Sequence, residues 1–309
     1  MAGHGRHVLV ETPDGKRLIC HPRGKKSQAV VGDRVLWQAS QDEGTIETVL
    51  PRRNLFYRQD EIRTKSFAAN LDQVLILIAA EPEFSESQLS RALIAGEAEH
   101  IRPVIALNKS DLTAPFARTW SRLAAYAAMG YTLLPLALKP TPLAGGAATN
   151  TQANTDADPT DIAALQALLQ GKTTLVLGPS GAGKSTLINR LLPDAQVLTN
   201  TISTALNSGK HTTTSTSLYW ADAARTTAVI DSPGFQEFGL HHIDPMHLAK
   251  LMPDIQACAS DCKFYNCTHL HEPGCGVIAA MQPTQQNPIS AHRYKIYGDL
   301  FAELSQKRY

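Results

Sequence analysis

One stretch of the 309-residue chain has the composition and spacing that phosphate chemistry requires. Residues 178–186 read Gly-Pro-Ser-Gly-Ala-Gly-Lys-Ser-Thr, between an apolar run and a segment of helical character. Glycines let consecutive backbone N–H groups curl around a polyphosphate, Lys184 places an ammonium beside its outer oxygens, and Ser185 offers a hydroxyl to Mg²⁺. A helix starting here adds the positive end of its dipole. We therefore predict a nucleoside triphosphate site rather than a chance glycine-rich turn. The residues predicted to contact the nucleotide are Gly178, Pro179, Ser180, Gly181, Ala182, Gly183, Lys184, Ser185 and Thr186.

A second polar element, Asn108-Lys109-Ser110-Asp111, follows the apolar run 103–107. A carboxylate such as Asp111 can accept hydrogen bonds from the ring N–H and the exocyclic amine of guanine. Adenine lacks that pair of donors and would leave the buried charge unpaired. Asn108 would brace the base-binding loop, and the stem of Lys109 would cover the face of the base. A helix cap formed by Ser110 or Asp111 is the alternative, but beside a P-loop we favour guanine recognition.

The third element, Asp231-Ser232-Pro233-Gly234, follows the apolar run 227–230. A carboxylate at a strand end can hold Mg²⁺ through water, and the Gly234 amide can contact the γ-phosphate. The threonines of 211–214 offer hydroxyls to a metal-bound phosphate, although threonine-rich loops are often only loops. We expect Ser185, Thr213 and Asp231 to hold Mg²⁺.

The C-terminal part of the chain carries a possible metal site. Cys262, Cys267, His269 and Cys275 form a set of four soft ligands suited to tetrahedral Zn²⁺. The set implies no open coordination position, so we predict a structural ion. Two alternatives stay open: Cys258 or His271 supplies a ligand instead, or the cysteines are buried free thiols.

The elements that must position these motifs alternate between strand and helix. Residues 74–80 form a continuous apolar run, which is typical of a strand buried on both faces of a parallel sheet. Residues 85–99 have helical spacing, and 103–107 predict the next buried strand. This alternation indicates an α/β domain. The residues 140–161 lack apolar periodicity and predict a flexible surface insertion.

The N-terminal region has a different pattern. Short strands are predicted at 7–12, 17–22, 30–39 and 44–50, a spacing typical of a small β-barrel. An OB-fold that binds RNA and an SH3-like or purely structural barrel fit equally well. Arg52, Arg53, Arg58, Arg63 and Lys65 follow as a predicted basic connector. We divide the chain into an OB-like barrel at 1–58, an α/β domain at 59–240 and a helical zinc-binding domain at 241–309.

Charge and composition narrow the class of protein further. The net charge is +1, but the first 65 residues hold twelve Lys and Arg against eight Asp and Glu, a modest indication of a polyanion partner. The N-terminal residues lack the apolar core of a secretion signal, and the longest apolar run is too short to span a bilayer. We therefore expect a cytoplasmic protein without a membrane partner.

The motifs occur in an unusual order. Ordinary GTPases carry the P-loop first, the Asp-x-x-Gly element second and the Asn-Lys-x-Asp element last, whereas here the last element comes first. A circular permutation can preserve the fold because each motif still lies at the C-terminal edge of one sheet. The segment after Gly234 would then connect the phosphate-sensing element directly to the C-terminal domain.

Together, the permuted motifs, the N-terminal barrel and the Cys/Cys/His/Cys set resemble the ribosome small-subunit-dependent GTPase A (RsgA) family over nearly the whole chain. The resemblance implies a GTPase that binds GTP and GDP and acts late in maturation of the small (30S) ribosomal subunit. It also implies binding to ribosomal RNA and stimulation by the subunit. We expect slow turnover without the subunit, and a monomer.

The resemblance also bears on the catalytic water. Phe235 stands where many GTPases keep a water-orienting glutamine. By hypothesis His211 orients or deprotonates the water instead, the alternative being a histidine that only packs the loop. Lys210 replaces the arginine usual in the family, and 136–138 read Leu-Ala-Leu where a Ser-Ala pair is expected to back the guanine.

Two other functions remain to be distinguished. An ATP-using P-loop protein would keep its nucleotide preference when Asp111 is replaced. An RNA-binding module whose nucleotide only stabilises the fold would show negligible GTP hydrolysis even with small subunits.

Overall fold

A computed structural model describes residues 2–4, 7–23, 29–40, 43–138, 159–192, 216–234, 238–281 and 289–306. Its strands are β1 Ala2–His4, β2 His7–Glu11, β3 Arg17–Pro22, β4 Val35–Ala39, β5 Gly44–Val49, β6 Leu55–Gln59, β7 Thr64–Ala69, β8 Gln73–Ala79, β9 Arg102–Asn108, β10 Thr132–Leu136, β11 Thr173–Leu177, β12 Ser217–Trp220 and β13 Ala228–Asp231.

The helices are α1 Glu86–Ala98, α2 Thr113–Ala128, α3 Pro159–Leu169, α4 Lys184–Leu191, α5 Pro253–Ala259, α6 Gly276–Ala280 and α7 Ala291–Leu304, with a 3₁₀ helix at Pro245–Leu251. Within the described ranges, none of the helices combines the length and the apolar composition needed to cross a membrane.

The predicted α/β domain is confirmed. Strands β10, β9, β8, β11 and β13 lie side by side in that order, and all pair in parallel. The central strand β8 is buried along its whole length. Val74 and Ile76 pack into one core, while Leu75 and Leu77 pack into the core on the opposite face. A strand with two buried faces must be apolar throughout, which explains the unbroken hydrophobic run.

The N-terminal strands are continuous with this sheet. β1 pairs with β12, and the order then continues through β2, β3, β5 and β4. The predicted strand 17–22 agrees with β3, whereas the predicted strand 30–39 begins only at Val35. Val30 and Val31 instead belong to a turn in which the Asp33 carboxylate accepts from the Val30 N–H at 2.8 Å.

The predicted basic connector contains regular structure. β6 and β7 form a separate antiparallel hairpin that spans residues 55–69. Phe56 and Phe67 are buried in it, with ring centroids 6.0 Å apart. The sequence obscured this hairpin because charged residues outnumber apolar ones between the two phenylalanines.

The predicted flexible insertion 140–161 ends earlier than expected. Helix α3 begins at Pro159, so the last three residues of the predicted insertion are helical. Proline suits a first helical position because its φ is already helical and its missing N–H has no partner there. The Asp161 carboxylate accepts a hydrogen bond from the Ala137 N–H at 3.1 Å. Residues 140–158 lie outside the described part of the chain.

A buried ion pair joins the C-terminal helices to the α/β domain. Arg293 donates from Nε and Nη2 to the two carboxylate oxygens of Asp254 at 2.8 and 2.9 Å, and from Nη1 to Ser90 Oγ at 2.7 Å. Arg293 and Asp254 are 4% and 6% exposed. Because α1 carries Ser90, α5 carries Asp254 and α7 carries Arg293, this network fixes three helices against one another.

We expect Asp254→Asn to lower the free energy of unfolding by about 3–5 kcal/mol, because removal of one partner leaves the Arg293 charge buried without compensation. Denaturant unfolding would measure the change. Asp299→Asn is the control, since it breaks the exposed ion pair between Asp299 and Lys295 on α7, the helix that carries Arg293. This substitution should cost at most about 0.5 kcal/mol of stability. A loss below about 1 kcal/mol for Asp254→Asn would contradict the assigned role.

Candidate functional site

The three phosphate and base motifs converge at one edge of the sheet. Asn108 ends β9, Gly178 follows β11, and Asp231 ends β13. These strands are parallel, so their carboxyl ends lie at the same edge, where open α/β sheets bind ligands. The three motifs therefore lie at one edge of the sheet despite their permuted order along the chain.

The glycines of the P-loop are required by close backbone approach. Gly181 and Gly183 have φ of +82° and +104°, in the left-handed region that disfavours side chains. A Cβ at Gly183 would lie 2.4 Å from Asn108 Nδ2, and one at Gly178 would lie 2.3 Å from the Leu77 carbonyl oxygen. Gly178 and Gly183 thus leave no room for a side chain, whereas at Gly181 the positive φ alone favours glycine, since a Cβ there would lie 3.5 Å from Pro82.

Lys184 is the first residue of α4, and its ammonium lies inside the loop. Nζ donates to the carbonyl oxygens of Gly178 at 2.6 Å and Pro179 at 3.2 Å. Burial lowers the pKa of Lys184, whereas the nearby Asp231 carboxylate raises it. A Cβ at Gly234 would be 3.3 Å from Nζ. The charge that would meet the outer phosphates therefore lies beside the third motif.

Asn108 connects the base-binding element to the P-loop. Its side chain is buried, its Nδ2 donates to the Ala182 carbonyl at 2.9 Å, and its Oδ1 accepts from the Leu138 N–H at 3.1 Å. Lys109 has φ +69°, and its Nζ donates to the Glu81 carbonyl. The bracing expected of Asn108 is thus present, and it includes the loop at Leu138.

Further predicted residues of the P-loop and of the Asn108–Asp111 element differ in exposure. Ser180 and Ser185 are exposed, while Pro179, Thr186, Ser110 and Asp111 are half-buried. A hydroxyl and a carboxylate are oxygen donors of the type Mg²⁺ prefers, so Ser185 and Asp231 fit the ion by chemistry. His211 and Thr213 lie outside the described residues.

Sequence reasoning missed one structural residue of this site. Ser232 is fully buried, and its Oγ donates to the Val176 carbonyl at 2.7 Å, which ties the third motif to β11. No spacing or residue type in the sequence distinguishes this serine from an ordinary turn serine.

The four predicted metal ligands form a cluster whose ligand atoms all lie within 4.8 Å of one another: Cys262, Cys267, His269 and Cys275. Cys258 and His271 lie outside this cluster. Cys262 Sγ and Cys275 Sγ are 3.8 Å apart. His269 Nδ1 lies 3.3 and 3.5 Å from the Cys262 and Cys275 sulfurs. The arrangement could hold a metal ion.

The spacing and the protonation behaviour of the cluster both fit zinc. Two sulfurs at ~2.3 Å from a tetrahedral ion are separated by roughly 3.8 Å, which matches the Cys262–Cys275 distance. Burial lowers the pKa of His269, which keeps the imidazole neutral as a ligand must be. Burial raises the pKa of Cys267, which favours the neutral thiol in the absence of a cation.

Glu272 organises the ligand loop and was not singled out by the sequence. Its carboxylate accepts from the N–H groups of Thr268 at 2.8 Å and Leu270 at 3.3 Å. Burial would raise the pKa of Glu272, but the hydrogen bonds from Thr268 and neighbouring amides outweigh it and lower the pKa. The loop surrounds His269, which has φ +61°. The carboxylate thus stabilises the unusual backbone of a ligand.

Comparison with known proteins agrees with this geometry. The model of the RsgA GTPase family matches residues 49–241. The chain is 72% identical to the small ribosomal subunit biogenesis GTPase RsgA of Variovorax paradoxus, covering 100% of this chain and 92% of that protein. It is 47% identical to the protein of the same description from Paraburkholderia phytofirmans, covering 99% and 92%.

Two solved structures are similar to the chain. One is YloQ, described as a circularly permuted GTPase, with a TM-score of 0.66 and 28% identity, covering 98% of this chain and 92% of YloQ. The other is YjeQ from Thermotoga maritima, with a TM-score of 0.69 and 27% identity, covering 99% and 96%. With its motifs converging at one sheet edge in permuted order, the chain belongs to the RsgA GTPase family.

Proposed function

We propose that this GTPase acts in the late biogenesis of the small (30S) ribosomal subunit, binds its ribosomal RNA and is stimulated by the subunit. Relatives up to 72% identical over the full chain are described as small ribosomal subunit biogenesis GTPases. The observation that carries the proposal is this full-length similarity. The hydrogen bond from Asn108 to Ala182 supports only its nucleotide-binding part, because it joins the predicted guanine motif and the P-loop in one site. A ribosomal partner implies a cytoplasmic protein, which we take to be a monomer with domains at 1–58, 59–240 and 241–309.

Asp111 gives the site its preference for guanine. Its carboxylate accepts from the ring N–H and the exocyclic amine, and the Lys109 stem covers the base. Asn108 holds the loop so that the carboxylate need not reorganise when the nucleotide binds. The backbone N–H groups of residues 178 and 180–186, together with that of Gly234, bind the phosphates.

Hydrolysis proceeds by in-line attack of water on the γ-phosphorus. Lys184 neutralises charge on the outer phosphate oxygens, and its position beside Gly234 supports this role. Ser185, Thr213 and, through water, Asp231 would hold Mg²⁺, which would supply further charge neutralisation. His211 orients the attacking water, since Phe235 replaces the usual glutamine. The cluster at 262–275 binds one structural Zn²⁺.

Replacing Asp111 tests guanine recognition. We expect Asp111→Asn to weaken GTP affinity by about 10²–10³-fold and to improve binding of xanthosine triphosphate, whose C2 carbonyl can accept from the asparagine amide. Fluorescent-nucleotide titration would measure both constants, with Asp299→Asn as a surface control. If Asp111→Asn leaves the GTP affinity unchanged, or if the wild-type protein and the variant both prefer ATP, the chain is a different kind of P-loop enzyme.

The partner and His211 are tested by phosphate release from GTP with small subunits, with large subunits, or with neither. We expect slow turnover alone and strong stimulation by small subunits only. His211→Ala should lower the stimulated rate by about 10²-fold while GTP still binds, because a positioned base contributes that much. Intact stimulation in His211→Ala would remove the catalytic role, and negligible hydrolysis in every condition would favour a non-enzymatic RNA-binding module.

Metal analysis tests the zinc site. We expect one zinc ion per chain, lost on acidification because protons compete for the three thiolates. Cys267→Ser should lower the zinc content and the thermal midpoint of the protein, whereas Cys258→Ser should change neither, since Cys258 is outside the cluster. Full zinc content in Cys267→Ser would contradict the ligand set.

A further inference from the structure

The segment after the phosphate-sensing motif is anchored by an aromatic cluster. Phe238 follows Gly234 by four positions and is 2% exposed. Its ring stacks on Phe67 with centroids 6.0 Å apart and planes 8° apart, and packs on Phe56 at 5.7 Å. Both partner rings belong to the hairpin β6–β7. The side chain of Phe238 is therefore fixed to this hairpin.

Backbone hydrogen bonds fix the next residues to the same hairpin. The Gln59 N–H donates to the Gly239 carbonyl at 3.0 Å, and the Gln59 carbonyl accepts from the His241 N–H at 3.0 Å. The Gly239 N–H donates to Asp60 Oδ1 at 3.1 Å. A Cβ at Gly239 would lie 2.5 Å from the Gln59 carbonyl oxygen and 2.8 Å from Asp60 Cα, so the backbone at Gly239 approaches the hairpin too closely for a side chain.

Arg91, on α1, connects this anchored segment to the C-terminal helix. Its Nη1 donates to the Phe238 carbonyl at 3.2 Å and to Glu303 Oε1 at 2.9 Å, while Nη2 donates to Glu303 Oε2. Hydrogen bonds from Arg91 lower the pKa of Glu303, so the pair stays ionised at neutral pH. A planar guanidinium can satisfy the carboxylate and the carbonyl together, which an ammonium cannot do in the same geometry.

The C-terminal helix is also attached to the metal cluster. Tyr294 Oη donates to the His269 carbonyl at 2.7 Å, and Tyr297 Oη donates to the Thr268 carbonyl at 2.8 Å. Helix α7 therefore holds the ligand loop with two tyrosines and holds Arg91 with Glu303. A displacement of the cluster moves the helix that binds Arg91.

We propose that Arg91 is a positioning residue for GTP hydrolysis. Through Arg91, the position of helix α7 and of the Cys/His cluster influences the position of the Asp231–Gly234 loop. Four peptide steps separate Gly234 from Phe238, so the two Cα atoms lie within roughly 15 Å of each other. Holding the Phe238 carbonyl thus limits where the Gly234 amide can lie relative to the γ-phosphate. A partner that docks on the C-terminal region acts on the site by this route. The contact of Gly234 with the γ-phosphate and the docking step rest on the proposed function, whereas the contacts that join Arg91 to Phe238 and Glu303 do not.

The ratio of GTP affinity to GDP affinity tests the link directly, because only GTP carries the γ-phosphate that the loop contacts. We expect Arg91→Lys and Glu303→Gln to lower this ratio about five- to tenfold, the lower end of typical coupling between sites. Arg91→Lys keeps a positive donor beside Glu303, and Glu303→Gln keeps an oxygen that can accept from Arg91. Lys295→Ala, which removes an exposed pair on the same helix, should leave the ratio within about twofold.

Turnover with saturating small subunits gives the second readout. The stimulated rate should fall at least about fivefold in Arg91→Lys and Glu303→Gln, but not in Lys295→Ala. An unchanged ratio and an unchanged stimulated rate in the folded variants would overturn the inference. An equal loss of GTP and GDP affinity would also overturn it, since general destabilisation affects both nucleotides. If the wild-type protein is not stimulated by small subunits, the proposed partner is wrong, and the affinity ratio still decides the role of Arg91.

Discussion

The nucleotide site depends on the buried amide of Asn108. It donates to the Ala182 carbonyl of the P-loop and accepts from the Leu138 N–H, so three loops from distant parts of the chain share one side chain. A buried amide that lost either partner would incur a desolvation cost of about 1–3 kcal/mol. The loops are therefore held in one relative arrangement before any nucleotide binds. Such pre-organisation is what a site requires to discriminate guanine and to align a phosphate.

Circular permutation changes what lies downstream of the Asp231–Gly234 motif. In this chain the Asp231–Gly234 loop leads within a few residues to Phe238, which is fixed by aromatic packing and by Arg91. The next elements are the helices that carry the Cys/His cluster. The core reflects this connection, because buried residues of β8 and of helix α7 belong to one contiguous hydrophobic cluster. The C-terminal region is packed onto the α/β domain rather than suspended from it.

The Cys/His cluster joins short helical elements. Helix α6 has five residues and α5 has seven, lengths at which isolated helices do not persist in water. The N–H groups of Gly276 and Ile278 donate to the sulfurs of Cys262 and Cys275, so the start of α6 and the cluster stabilise each other. The buried pair Arg293–Asp254 then sets the orientation of these helices on α1.

The sequence by itself determined the α/β class, the permuted order of the motifs and the candidate residues of both sites, because those properties reside in local patterns. A P-loop requires glycines at fixed positions, a doubly buried strand must be apolar, and the candidate metal ligands here lie within fourteen residues of one another in the chain. Only the tertiary structure decided which of Cys258 and the other cysteines share the cluster, how Asn108 reaches Leu138, and that 55–69 form a hairpin. Arg91 is the clearest case. Its three acceptor atoms belong to two residues, Phe238 and Glu303, which lie 147 and 212 positions away in the chain. Contacts at such separations leave no local sequence pattern because they arise from packing.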